Sequence, residues 1–85
     1  MKNYFTYILL CADQTLYVGY TTDLEKRLVT HNTLKTGAHY TKIRRPVKLV
    51  YSEKFATLSE ALKREHEIKF FSRKKKLDLI RVENP

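Results

Sequence analysis

The seven residues Tyr4 to Leu10, YFTYILL, constrain this chain more than any other stretch. They are almost wholly aromatic, aliphatic or β-branched, so they read as a strand, with Phe5, Tyr7 and Leu9 on one face and Tyr4, Thr6, Ile8 and Leu10 on the other. Such a strand must be buried on at least one side. Cys11 to Gln14 supplies an Asp and small residues for a reversal, and Thr15 to Tyr20 is again β-prone, so the two runs predict a hairpin. Tyr7 and Tyr17 become neighbours, on a shared face only if the register allows it.

Gly19 lies in or just after the second strand, where a missing side chain signals a bulge, a bend or the close approach of another group. The TDLE of Thr22 to Glu25 matches a capping box and predicts a helix from about Asp23 to about Leu34. Its apolar stripe begins with Leu24 and Leu28, and the positions that continue it are Arg27 and His31. Two polar residues therefore look inward, one turn apart, able to converge on one ligand. From Thr33 to Arg45 no period is visible, which predicts a ligand-facing loop. Pro46 opens a third strand, VKLVYSE, with Val47, Leu49 and Tyr51 alternating with polar residues.

A second capping box, TLSE at Thr57 to Glu60, starts the longest helix, expected to reach about Phe71. Leu58, Ala61, Leu62 and Ile68 define its buried stripe, and Glu65 falls inside it. A buried carboxylate needs a partner, either Arg27 or a Lys in a structural ion pair, or a divalent metal ion. A lone carboxylate with waters suits Mg²⁺. Ser72 caps a short last helix across RKKKLDLIRV, with Leu77 and Ile80 packing back. The expected fold class is therefore α+β (an α/β mixture): a small three-stranded sheet flanked by helices, in one domain spanning residues 1–85.

A chain of 85 residues encloses one modest core. No apolar run is long enough for a membrane span, and the N-terminus lacks the marks of a cleaved signal, so a soluble cytoplasmic protein with no membrane partner is expected. Monomer is the expected state, with a dimer as the alternative. Cys11 is the single cysteine, which excludes an internal disulfide and a cysteine-rich zinc site; it reads as a small buried residue. The formal net charge is +8, and residues 42 to 76 hold twelve of the seventeen basic residues but only four of the nine acidic ones. That field attracts polyanions, nucleic acid first among them; the alternative is a basic surface that only aids solubility.

Each candidate has a plain reading beside the functional one. His31 could be a satisfied core histidine, and Arg27 could pack through its stem with its head in solvent. Tyr7 and Tyr17 could be core packing. A tyrosine acts as a general base only if its pKa falls from about 10, which a neighbouring arginine and a metal ion favour.

The order and spacing of FTY at 5 to 7, YVG at 17 to 19, Arg27, His31 and the Glu of ALKRE at 61 to 65 resemble the GIY-YIG nuclease superfamily over nearly the whole chain. The endings VYSEKF, SEALKREHEIK and SRKKKLDLI resemble its small, single-domain YhbQ/YazA-type bacterial branch. The resemblance implies a three-stranded antiparallel sheet flanked by helices, and cleavage of DNA phosphodiester bonds with one divalent metal, Mg²⁺ or another such as Mn²⁺. Carried over by position, Tyr17 matches the candidate general base, Tyr7 the tyrosine that orients the nucleophile, Arg27 the residue on the scissile phosphate, His31 a residue assisting proton transfer or phosphate contact, and Glu65 the metal-binding carboxylate. Lys42, Arg44, Arg45, Lys69, Arg73, Lys74 and Lys75 are the candidate nucleic-acid contacts, with DNA ahead of RNA. The first tripeptide departs from the family pattern in Phe5 and Thr6, and Tyr20 stands where several relatives carry Lys. The competing function is a non-catalytic nucleic-acid-binding module on the same fold.

Overall fold

A computed structural model describes residues 2–33 and 44–83 of the chain. The described residues form strands β1 (Tyr4–Cys11) and β2 (Leu16–Thr21), helix α1 (Leu24–Thr33), strand β3 (Val47–Phe55) and helices α2 (Leu58–Lys69) and α3 (Arg73–Glu83). β1 is the central strand of an antiparallel sheet ordered β2-β1-β3. The predicted reversal is built around Asp13, whose carboxylate accepts from the backbone N–H and the hydroxyl of Thr15 at 3.1 and 2.6 Å. The expected loop over residues 33 to 45, and Lys42 with it, falls largely outside the described residues.

YFTYILL carries no charge and is largely apolar because both faces of β1 are covered. Tyr7, Leu9 and Cys11 join Val47 in a core against Leu24 and Leu28 of α1. On the reverse face Ile8 joins Val18, Tyr51 and Ile68, with Phe71, Leu79 and Ile80 packed around them. Thr6, wholly buried, donates its hydroxyl to the Ala61 carbonyl at 2.7 Å and so ties α2 to that face. A buried hydroxyl must find such a partner or carry a desolvation cost. Cys11 is buried, and burial pushes its thiol up. No described helix is long and apolar enough to cross a membrane.

Three local expectations are corrected. The cap of α1 is Asp23 and not Thr22: the Asp23 carboxylate accepts from the Lys26 N–H at 3.1 Å, while the Thr21 hydroxyl accepts from the Asp23 N–H. Along β3, Val47, Leu49 and Tyr51 do not share a face, because the ladder shifts between Ile8, opposite Tyr51, and Leu9, opposite Leu49. The extra residue, Val50, is a bulge that turns the second half of β3 over. Finally, Leu58, Leu62 and Leu77 are exposed, and α2 buries only Ala61 and Ile68 fully. In the second capping box Thr57 is the cap as read, accepting from the Glu60 N–H at 3.2 Å, while the Glu60 carboxylate takes the Thr57 hydroxyl at 2.9 Å. Ser72 caps α3 through the Lys75 N–H.

Candidate active site

Tyr7 is the hub of the site, and the register of the hairpin puts it there. Tyr7 lies opposite Gly19 and Leu9 opposite Tyr17, so both tyrosines share the face that α1 covers. A Cβ on Gly19 would stand 2.6 Å from the Tyr7 hydroxyl oxygen, 2.7 Å from its Cζ and 3.2 Å from a ring carbon of Tyr17. The glycine is there because the Tyr7 ring lies across it, the close approach that the sequence signalled.

Above this pair, α1 supplies Arg27 and His31 from successive turns. The Tyr7 hydroxyl lies 2.9 Å from His31 Nε2 and accepts from Arg27 Nε at 3.4 Å. Arginine can only donate, so the Tyr7 oxygen is the acceptor in that contact, while the bond to the imidazole runs in the direction its tautomer sets. The Tyr17 and His31 rings meet edge to face at 5.2 Å.

His31 has no exposed surface. Burial, then the charges of Arg27 and Arg45, push its pKa down to about 4, so the imidazole is neutral near pH 7. Burial raises Tyr7, outweighing the hydrogen bond and charge of Arg27, and Glu65 contributes in the same raising direction. Tyr7 is therefore held as a phenol: the neighbouring arginine pulls it down as expected, and burial outweighs that pull.

Glu65 comes from α2, on the opposite side of the sheet. Its charge reaches Tyr7, but its nearest ion-pair partner is Lys69 Nζ at 3.5 Å, one turn on. The side chain is 15% exposed and Lys69 is 52% exposed, so this is a loose surface pairing. Among the described residues no three His, Cys, Asp or Glu side chains converge on one point. A divalent ion on Glu65 would complete its shell with water, which Mg²⁺ accepts. The donor chemistry therefore fits the hydrated ion.

Beside Arg27 lies a depression of about 240 Å³ lined by Thr21, Thr22, Asp23, Lys26, Arg27 and Thr30. Sequence reasoning missed it. Its signal was a polar stripe at four-residue spacing, Thr22, Lys26 and Thr30, running beside the Arg27–His31 stripe.

The candidate nucleic-acid contacts divide. Arg44 pairs with Asp13 at 2.9 Å, and Arg45 donates to the carbonyls of His31 and Thr30 at the end of α1, so both guanidinium groups are engaged within the fold. Arg73, Lys74 and Lys75 stand exposed at the start of α3, with the Lys75 ammonium 4.2 Å from the Phe71 ring centre.

The geometry can be set beside known proteins. A family model described as the GIY-YIG catalytic domain matches residues 3–78. The UPF0213 protein SSP2268 of Staphylococcus saprophyticus is 61% identical over 80 residues, 94% of this chain and 96% of that protein. The solution NMR structure of protein EF2693 from E. faecalis is similar with a TM-score of 0.65 and 45% identity over 96% of this chain and 86% of that one. That of the UPF0213 protein BH0048 from Bacillus halodurans has a TM-score of 0.61 and 41% identity over 94% and 84%. A family match across most of the chain, relatives of nearly equal length and a shared three-stranded fold together place this chain in the GIY-YIG family, among the UPF0213 proteins.

Proposed function

We propose that this protein is a divalent-metal-dependent endonuclease that hydrolyses phosphodiester bonds in DNA. The observation that carries the reading is the convergence of Arg27 and His31 on one buried phenol, Tyr7, with Arg27 also bordering an open, polar depression to which Lys26 contributes a second cation. In hydrolysis a water oxygen bonds to phosphorus, the bond to the leaving sugar oxygen breaks, and one proton passes from the water while another reaches the leaving group. Arg27 spends its Nε on Tyr7, leaving its terminal nitrogens to hold a phosphate and offset the charge that builds on its oxygens. Glu65 is the residue that would hold Mg²⁺ or Mn²⁺, which when bound supplies positive charge against the phosphate and makes a water more acidic.

Tyr7, fixed as a phenol, orients the nucleophile. Tyr17 is the candidate to take the water's proton, which it would do as the phenolate, and its ring packs edge to face on the neutral His31. Incubation with branched, single-stranded and duplex DNA, with and without Mg²⁺, tests the reading. Cleavage is expected to need the metal and to fall at least about 100-fold in Glu65→Gln; equal cleavage by the two proteins would sink it. Arg27→Ala should lose about 100- to 1,000-fold in rate while keeping most binding, as removal of one transition-state donor does.

One observation favours the second reading, a nucleic-acid-binding module without turnover: Glu65 already has a cationic neighbour in Lys69. Salt-sensitive DNA binding with no cleavage of any substrate would select it.

A further inference from the structure

Two adjacent phenylalanines part company where α2 ends. Phe71 packs into the second core, with Arg64 and Lys75 over its ring. Phe70 is 78% exposed, the most exposed of the large apolar side chains described. Its backbone is fixed all the same, because its N–H donates to the Glu67 carbonyl at 3.2 Å and the next N–H, that of Phe71, to the Ile68 carbonyl at 3.0 Å. The ring of His66, one turn back, meets it edge to face at 4.9 Å. An apolar ring held outward on a fixed backbone, with a second ring against it, is a flat surface ready for a partner that is itself flat.

The charge around it says what kind of partner. Lys69 precedes it, and Arg73, Lys74 and Lys75 follow in the first turn of α3, which contains no acidic residue. Cations at a helix N-terminus stand against the helix dipole, so this cluster is unfavourable for the isolated fold and is relieved by a polyanion laid across it. Aromatic faces interleaved with cations are how proteins hold unpaired nucleotides, the bases stacking and the phosphates pairing with the charges. A base inside a closed duplex has no free face to offer.

We propose that Phe70, supported by His66 and set among Lys69, Arg73 and Lys74, is a stacking platform for an unpaired nucleobase, so that single-stranded or branched nucleic acid is bound in preference to closed duplex. This rests on the nucleic-acid part of the reading above and not on its catalytic part. Phe70 follows Glu65 by five residues, about 7.5 Å along the helix axis and about 140° around it.

The test measures binding in EDTA, with no cleavage required, by anisotropy of labelled oligo-dT, oligo-U and a blunt DNA duplex. Phe70→Ala is expected to weaken single strands about 5- to 150-fold, the range seen for loss of one base–aromatic stack, and to leave duplex affinity within about 2-fold. Phe70→Trp should retain affinity, and since the chain has no other tryptophan its fluorescence should be quenched by single strands and not by duplex. The DNA and RNA oligomers decide which nucleic acid is preferred. Lys74→Ser should weaken single strand and duplex alike and lower the salt slope by about 0.7 to 0.9.

Unchanged single-strand binding by Phe70→Ala overturns the inference. So does an equal loss on duplex, or a change of sedimentation from dimer to monomer with oligonucleotide binding intact, which would make the ring a self-association surface. Melting followed by circular dichroism identifies a variant that has failed to fold, and Phe70→Trp then carries the test. An inactive protein that binds through Phe70 keeps this inference while the nuclease reading fails; Glu65-dependent cleavage with normal binding by Phe70→Ala does the reverse.

Discussion

His31 sits without exposed surface between two arginines, and that gives the fold a pH dependence of definite sign. Above about pH 6.5 the imidazole is neutral in both native and unfolded chains and contributes no slope. Between there and about 4, its native value, the unfolded chain binds a proton that the native state refuses, so stability falls as pH falls. The loss is up to about 1.4 kcal/mol per pH unit, or about 3 kcal/mol across the window. Urea midpoints at pH 7 and 4.5 measure it. His31→Gln should flatten the difference, and an unchanged slope would show that the imidazole is not its source. Gly19 offers a second test at this scale. In Gly19→Ala the new methyl meets a phenol that cannot swing aside, because Tyr7 is 2% exposed and bonded to His31 and Arg27. A loss of about 1 to 3 kcal/mol is expected, together with a fall in cleavage larger than the fraction unfolded explains.

At the scale of elements, α2 depends on its cap. Thr57 holds the Glu60 N–H and carboxylate at once, so Thr57→Ala should cost about 1 kcal/mol in thermal or urea denaturation, with the same native spectrum. Beyond that cap, α2 is pinned to β3 by a polar hub. Glu53 accepts from the Tyr51 hydroxyl and from Arg64, which also reaches Glu67 at 3.1 Å. Burial and the Glu53 charge push Tyr51 up to about 12. The two capping boxes show how far local sequence can be read. TLSE offers a second cap type in Ser59, yet the chain caps at Thr57 as read. TDLE contains a second good cap in Asp23, one residue on, and the chain uses that one. The bulge at Val50 was not legible, because alternation in a single strand says nothing about an extra residue opposite a partner elsewhere in the chain.

For the molecule as a whole, the parts of the site that rest on one element were legible and those that rest on packing were not. Arg27 and His31 follow from a four-residue helical spacing, and they meet at Tyr7 as that spacing implied. Glu65 follows from its place on α2, but its side of the sheet does not follow from any local pattern. Net charge is a sum, blind to pairing, so it does not show that the fold itself engages Arg44 and Arg45.

The position of β1 has a kinetic meaning as well. Among the described strands Tyr7 stands on the one hydrogen-bonded on both edges, opposite Gly19 on one side and Ser52 on the other. Amide hydrogens along Thr6 to Leu9 should therefore exchange with solvent only when the whole sheet opens, at rates set by global unfolding, while those at the ends of α3 exchange through local fraying. Native-state exchange across low urea concentrations reads this directly. The phenol at the centre of the candidate site would then last as long as the native state itself, and partial openings that release α3 would leave its contacts with α1 intact.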